Sequence, residues 1–249
     1  MRFLFPTYAI IYSMKVINLD KEIFEKACTL CEKEFSYEEI FEVLRKEDAV
    51  EKQIAILKLE NLHSTQDAKL LISHLTGQDG PIREAVAIKI NEFLSQNKCE
   101  YIDDLSFYSV FVDAVCDVNP NISRSIIDCL PALKKQAELF ELLIKKIERI
   151  FERIENPDIE QKNFLTVRLF NLYWCLEAVG CLLPVQENFK EKNELLVLLK
   201  KSIVFNNYTI DEKVARIITS GVFTKKDVSD VLDKIKNSQN FYVRRYIEG

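Results

Sequence analysis

The residues best suited to chemistry are seven cysteines and two histidines. Cys28 and Cys31 form a CxxC pair inside a predicted helix. A structural zinc site needs two more ligands at compatible spacing, and none is close in sequence. A redox pair needs a helix start near a strand, which this segment does not offer. We therefore interpret the pair as buried packing, with redox or metal chemistry as the alternative.

The histidines do not form a recognisable catalytic set. His63 and His74 are eleven residues apart, and no serine or cysteine nucleophile pattern accompanies them. We expect His63 in a loop and His74 on a helix surface, with a role as catalytic base or ligand as the alternative. The sequence thus predicts no catalytic residue, no cofactor site and no metal site.

Charge is divided unevenly along the chain. The formal net charge is -5, but residues 1–133 hold 14 Lys and Arg against 22 Asp and Glu, while residues 134–249 hold 20 against 17. Duplex-binding domains usually carry a clear basic excess, so this balance disfavours nucleic acid as the main partner. Aspartates cluster in 101–133 and basic doublets follow later; we interpret both as solvated helix surface, with an acidic strip or a basic patch for a partner as the alternative.

One apolar segment carries the residues most typical of an interface. Within Phe164–Leu183 lie aromatic, Arg and Asn side chains, which are common interface anchors. The functional interpretation places some of them in a binding groove; the alternative places Trp174 in the core, with Arg168 or Glu177 satisfied by neighbouring helices. The residues concerned are Arg168, Asn171, Tyr173, Trp174 and Glu177.

We predict a cytoplasmic protein without a membrane span. Phe164–Leu183 is long enough to cross a bilayer, but Arg168, Asn171 and Glu177 would be costly in hydrocarbon. The odd number of scattered cysteines fits reduced, buried thiols. The first 17 residues are apolar but carry Pro6 and Lys15 and no small-residue cleavage site; Met14 is an alternative start.

The elements that position these residues are predicted by a repeated helix-start signal. Gly80-Pro81, Asn119-Pro120 and Asn156-Pro157 place prolines 39 and 37 residues apart. Proline suits the first turn of a helix, and Gly or Asn suits the cap before it. A period near 40 residues is typical of a helical solenoid, whose units bury their apolar sides against one another.

The apolar periodicity predicts helices throughout and no strand of useful length. Ser36 and Glu39 form a capping-box pattern, and Gly77 suits a left-handed helix end. The predicted helices are 20–34, 36–46, 48–62, 66–76, 81–95, 101–116, 120–133, 135–155, 158–182, 190–205, 209–220, 225–237 and a short one from 239. Asp211 and Thr224 are candidate caps near two of these starts.

The second helices of the predicted hairpins resemble those of HEAT repeats. The segments concerned are 82–90, 122–130 and the Leu176-Glu177-Ala178-Val179-Gly180-Cys181-Leu182 run. The resemblance covers about residues 36–183. It implies an all-α, right-handed α-solenoid of antiparallel helical hairpins, with first helices on the convex side and second helices on the concave side. We expect residues 1–19 to be an N-terminal extension, 20–204 the repeats, and 205–249 an irregular C-terminal helical cap.

The resemblance implies a scaffold or adaptor, not a reaction. We expect a non-enzymatic protein whose concave face binds a protein or peptide, leaving the oligomeric state open. The expected contacts are Arg83, Arg124, Arg168, Asn171 and Trp174. One alternative is a HEAT-like DNA alkylation-repair glycosylase holding damaged DNA with Trp174, Arg168 and Glu177; another is a HEAT-like bilin lyase or cofactor chaperone.

Overall fold

The structure, a computed structural model, is all-helical over the residues it describes, which are 21–46, 48–98, 100–155, 164–183 and 190–248. This part of the chain contains 13 α-helices and no strand, which confirms the all-α prediction. The helices are α1 (Lys21–Glu32), α2 (Tyr37–Leu44), α3 (Ala49–Lys58), α4 (Thr65–Ser73), α5 (Gly80–Ser95), α6 (Leu105–Ala114), α7 (Pro120–Cys129), α8 (Gln136–Glu155), α9 (Phe164–Leu182), α10 (Lys192–Ser202), α11 (Tyr208–Ile218), α12 (Ser229–Lys236) and α13 (Phe241–Glu248).

Local capping starts several of these helices where the sequence predicts. Ser36 accepts a hydrogen bond from the backbone N–H of Glu39, whose carboxylate accepts one from the backbone N–H of Ser36. These two hydrogen bonds give acceptors to two backbone N–H groups that would otherwise have no partner at the start of α2. Ser64 caps α4 through the backbone N–H of Asp67.

Two of the three proline signals mark observed helix starts. Pro81 lies in the first turn of α5, and Pro120 is the first residue of α7. The side chain of Asn119 accepts from the backbone N–H of Asn121, completing the cap. The third signal, at Pro157, lies outside the described residues, as do the 1–19 extension, the Met14 alternative and Cys99.

Several predicted boundaries are wrong by a few residues because of caps and prolines. Helix α6 begins at Leu105 and not at 101, since Asp104 caps it through the backbone N–H of Ser106. Helix α7 ends at Cys129, and a 3₁₀ turn with Pro131 follows. Proline cannot donate the backbone hydrogen bond that another α-helical turn would need.

Boundaries near the C-terminus also differ. The residue that caps α11 is Asn207 and not Asp211; its side chain accepts from the backbone N–H of Thr209. Helix α12 begins only at Ser229, because Thr224 and Asp227 hydrogen-bond each other in a turn before it. A side chain that bonds to nearby backbone competes in this way with helix formation.

The helices contact one another in two interleaved series. Along the odd-numbered series from α1 to α13, each helix contacts the next odd-numbered helix. Along the even-numbered series from α2 to α10, each contacts the next even-numbered helix. In addition, α2, α6, α8, α10 and α12 each contact the odd-numbered helix that follows. One continuous cluster of buried hydrophobic side chains lies among the helices and reaches from Ile40 to Val243.

Helix α9 lies inside this arrangement and contacts α7, α8 and α11. Leu172, Cys175, Leu176 and Val179 are fully buried along it. Among the described residues, Leu165–Leu182 is the one stretch long and apolar enough to cross a membrane, with a mean hydropathy of 1.2 and 39% of it buried. The core helix of a globular protein meets the same criteria, so this feature is weak evidence for a span.

Candidate functional site

A set of polar and aromatic contacts joins each pair of successive odd-numbered helices from α5 to α13. We call it the polar ridge. It combines four cations with three carboxylates, and rings lie beneath several of the cations. Its members are Glu84, Asn121, Arg124, Tyr173, Trp174, Glu177, Glu212, Lys213, Arg216, Arg245 and Tyr246.

The ridge begins between α5 and α7. The side-chain amide of Asn121 donates to Glu84 at 3.0 Å, and that of Asn119 donates to the same carboxylate at 2.8 Å. Beside them, Arg83 donates from Nε and Nη2 to the two carboxylate oxygens of Asp117, at 2.8 and 3.0 Å. Two parallel hydrogen bonds of this kind fix both position and orientation. Arg83 therefore joins α5 to the turn before α7.

Between α7 and α9, a guanidinium covers an indole. The Cζ of Arg124 lies 5.8 Å from the centre of the Trp174 ring, within the range of a cation–π contact. Trp174 is only 4% exposed, and Phe170 and Tyr173 approach it edge-on. Its Nε1 has no hydrogen-bond partner among the described residues. Arg124 itself is exposed and presents its donors to solvent.

Between α9 and α11, a half-buried carboxylate is held by two cations. Glu177 pairs with Arg216 at 2.7 Å and with Lys213 at 2.9 Å, and the Lys213 ammonium lies 4.9 Å from the centre of the Tyr173 ring. Burial alone would raise the pKa of Glu177, but contacts with Lys213 and Arg216 outweigh it and hold the pKa below its ordinary value. The carboxylate is therefore ionised in the folded state at neutral pH.

The ridge ends between α11 and α13. Arg245 pairs with Glu212 at 2.7 Å and lies over the rings of Tyr242 and Tyr246. The Tyr242 side chain is 58% exposed. This end therefore presents an arginine and an aromatic ring together at the surface, the combination that most often anchors protein interfaces.

The structure brings together some of the predicted contact residues and separates others. Arg124 and Trp174 are in contact, but Trp174 is buried beneath Arg124, as in the core alternative. The guanidinium of Arg83 is already paired with the carboxylate of Asp117. Arg168 is half-buried on α9 with an Nε that has no partner among the described residues. Asn171 is half-buried, and its main-chain carbonyl faces Cys116. Their binding roles stay predictions.

Sequence reasoning missed the α11 and α13 side of the ridge. Glu212, Lys213 and Arg216 lie within five positions, but charges at such spacing are common on solvated helices. Glu177, the partner of Lys213 and Arg216, is more than 30 residues away from both. The spacing gives no signal that separates this group from ordinary surface charge.

The predictions for two cysteines and one histidine are wrong. Cys28 and Cys31 are exposed on α1, because the outer face of this first described helix is not covered by another described element. His74 is buried and not on the surface; its ring nitrogens lie 2.8 and 2.9 Å from the carbonyls of Leu70 and Leu44. The ring thus lies between a carbonyl in the last turn of α4 and one at the end of α2, and its N–H donates to one of them.

The acidic and basic clusters predicted from the sequence are mostly engaged in contacts within the protein. Four of the five aspartates in 101–133 cap a helix or pair with other residues, and Asp128 is exposed; Asp104 accepts from the Ser106 N–H, and Asp113 pairs with Lys146. Members of the basic doublets pair with acids in the same way: Lys145 with Glu141, Lys200 with Asp230 and Lys201 with Glu155. No group of three or more potential ligands in the described part of the chain could hold a metal ion.

Gly180 gives a testable prediction about this site. A Cβ built there would lie 2.6 Å from Nη2 of Arg216 and 2.9 Å from its Nε. Glycine to alanine inside a helix ordinarily stabilises by about 1 kcal/mol. We expect Gly180→Ala to lose this gain because it displaces Arg216 from Glu177. In an Arg216→Ala background the same change should stabilise by about 0.5 to 1 kcal/mol, as measured by urea unfolding; equal effects in both backgrounds would contradict the prediction.

Comparisons with known proteins do not assign the chain to a family. No family model matches it, and no curated protein matches it. A crystal structure of an engineered protein is similar, with a TM-score of 0.44 and 15% sequence identity, over 85% of this chain and 93% of that one.

Proposed function

We propose that this protein is a non-enzymatic, HEAT-like scaffold or adaptor, a right-handed α-solenoid of antiparallel hairpins that binds a protein or peptide on its concave face. The interleaved series of helix contacts supports the solenoid, because units of a solenoid contact their neighbours along each layer. In this proposal the odd-numbered helices line the concave side, and the protein acts in the cytoplasm.

The polar ridge is the observation that carries the proposal. It runs along one series of helices and includes two exposed guanidinium groups: Arg124 on α7, and Arg245 on α13 beside the exposed ring of Tyr242. Solvent-facing guanidinium and phenol groups offer directional donors and apolar area to a partner. The inner ridge residues are held by ion pairs, so a partner would meet a surface that is already organised, which lowers the ordering cost of binding.

Affinity purification from native lysate, followed by a direct binding titration, tests this proposal. We expect the double variant Arg124→Ala/Arg245→Ala to weaken binding of a recovered partner by about tenfold or more. Arg149→Ala is the matched control, because Arg149 is exposed on α8 in the even-numbered series; its affinity should stay within about twofold of wild type. If the wild type, the double variant and Arg149→Ala bound the partner with equal affinity, the proposal would be overturned. Turnover of a small molecule by the protein, with no partner recovered, would also overturn it.

The DNA-glycosylase alternative predicts a different result. Phosphate contacts make affinity for duplex DNA fall steeply with salt. The four cations of the polar ridge are interleaved with three carboxylates, which favours a protein or peptide partner over a polyanion. Steeply salt-dependent binding of duplex DNA would favour the alternative, whereas no binding at low salt would remove it.

A further inference from the structure

Two cysteines that are 59 positions apart in sequence meet inside the fold. The Sγ atoms of Cys116 and Cys175 are 3.4 Å apart, and both are free thiols. Cys175 lies fully buried in the middle of α9, whereas Cys116, just after the end of α6, is partly exposed. The pair therefore joins the segment after an even-numbered helix to an odd-numbered helix, and Cys116 is the less buried of the two residues.

The surroundings give the two thiols different properties. A hydrogen bond from Cys175 lowers the pKa of Cys116 and outweighs the effect of burial, and the positive charge of Lys146 adds to this. The same hydrogen bond and burial raise the pKa of Cys175. Asp113, which pairs with Lys146 at 2.7 Å, opposes the effect of the lysine. Cys116 is thus the better nucleophile, and Cys175 keeps its proton.

We propose that Cys116 and Cys175 form a reversible intramolecular disulfide when the protein meets hydrogen peroxide. The Cys116 thiolate attacks one peroxide oxygen, the O–O bond breaks, and hydroxide leaves and takes up a proton to give water. Cys116 is then a sulfenic acid. The Cys175 sulfur attacks that of Cys116, its thiol proton goes to the leaving hydroxyl, and a second water departs. Two thiols lose two electrons, and one peroxide gains them.

The disulfide would restrict the movement of α9, the central helix of the polar ridge. Cys175 directly follows Trp174, and the Asn171 carbonyl lies 3.7 Å from the Cys116 sulfur. The disulfide would tie α9 covalently to the segment after α6. It closes a long loop, which restricts the unfolded chain and stabilises the folded protein. This inference does not depend on what the polar ridge binds.

The test uses the full chain carrying Cys28→Ser/Cys31→Ser, which removes the two exposed thiols of α1. After treatment with a small excess of hydrogen peroxide, we expect a mass loss of about 2 Da, consistent with disulfide formation. Proteolytic mapping should link the peptides of Cys116 and Cys175. The Tm should rise by about 5 to 10 °C and return to its starting value with dithiothreitol.

Controls separate this pair from other thiols. Cys116→Ser should abolish the cross-link and leave a folded protein, since Cys116 lies at a partly exposed position after α6. Cys129→Ser is the matched control, because Cys129 is buried and its thiol donates to the nearby carbonyl of Ile126; it should keep the cross-link. A link that maps to other cysteines, or Cys116 oxidised without closing onto Cys175, would overturn the proposal.

Discussion

Trp174→Ala should destabilise the protein by about 3 to 5 kcal/mol, the usual cost of removing a buried indole. The side chain is 4% exposed and packs against Phe170, Tyr173 and the Arg124 guanidinium. Truncation would leave a cavity between α7 and α9. Trp174 is the single tryptophan of the chain, so unfolding in urea should be followed by far-UV circular dichroism and not by fluorescence.

Trp174→Phe is the matched control for this experiment. Phenylalanine keeps most of the apolar area, and the lost Nε1–H has no hydrogen-bond partner among the described residues. We therefore expect a cost of about 1 to 2 kcal/mol, well below that of the alanine variant. A cost for Trp174→Ala as small as that of Trp174→Phe would show that the indole does not fill the core between the two helices.

Glu177→Ala should destabilise by about 2 to 3 kcal/mol at neutral pH. The change leaves two cations, Lys213 and Arg216, close together without their shared carboxylate. Breaking a fully buried pair costs about 3 to 5 kcal/mol, and we expect less here because the side chains keep 10 to 30% of their exposure. Glu148→Ala, at an exposed position of α8, is the control and should change stability by less than about 0.5 kcal/mol.

The same carboxylate should make stability depend on pH. The pKa of Glu177 is lower in the folded state than its ordinary value, so the unfolded chain binds the proton more readily. Its contribution is therefore fully present above about pH 5 and is lost as pH falls through the folded-state pKa. Glu177→Gln lacks this contribution, so the stability difference between wild type and Glu177→Gln should shrink below about pH 4.

Urea unfolding of wild type and Glu177→Gln from pH 7 to pH 3 measures this difference directly. A difference that stays constant across the range would mean that the Glu177 carboxylate is not held by Lys213 and Arg216. Since the two arms share every other titratable group, acid effects elsewhere in the chain cancel in the comparison.

Much of the fold could be predicted because helix starts are local. The capping box at Ser36 and Glu39 and the Asn119-Pro120 start depend on residues within one turn of each other. The side-chain partners could not be predicted in this way. Arg83 and Asp117 are 34 positions apart, and Glu177 and Arg216 are 39 apart; their meeting depends on how α5 and α9 pack against later segments.

Whether a single residue is buried or exposed also could not be predicted from nearby sequence. The sequence predicts a surface histidine at position 74, yet α2 covers its ring, and Nε2 lies 2.9 Å from the Leu44 carbonyl. Cys28 and Cys31 read as core residues, yet no described helix covers their side of α1. Burial of one residue depends on its neighbours in space, which periodicity along one helix does not identify.

The sequence by itself determined that this chain is helical and where most helices begin, because apolar periodicity and capping act within a few residues. Only the tertiary structure decided that the Glu177 carboxylate faces Lys213 and Arg216, that Trp174 lies beneath Arg124, and that Cys116 meets Cys175. Those contacts join residues 36 to 59 positions apart. They follow from the packing of whole helices, which no short stretch of sequence specifies.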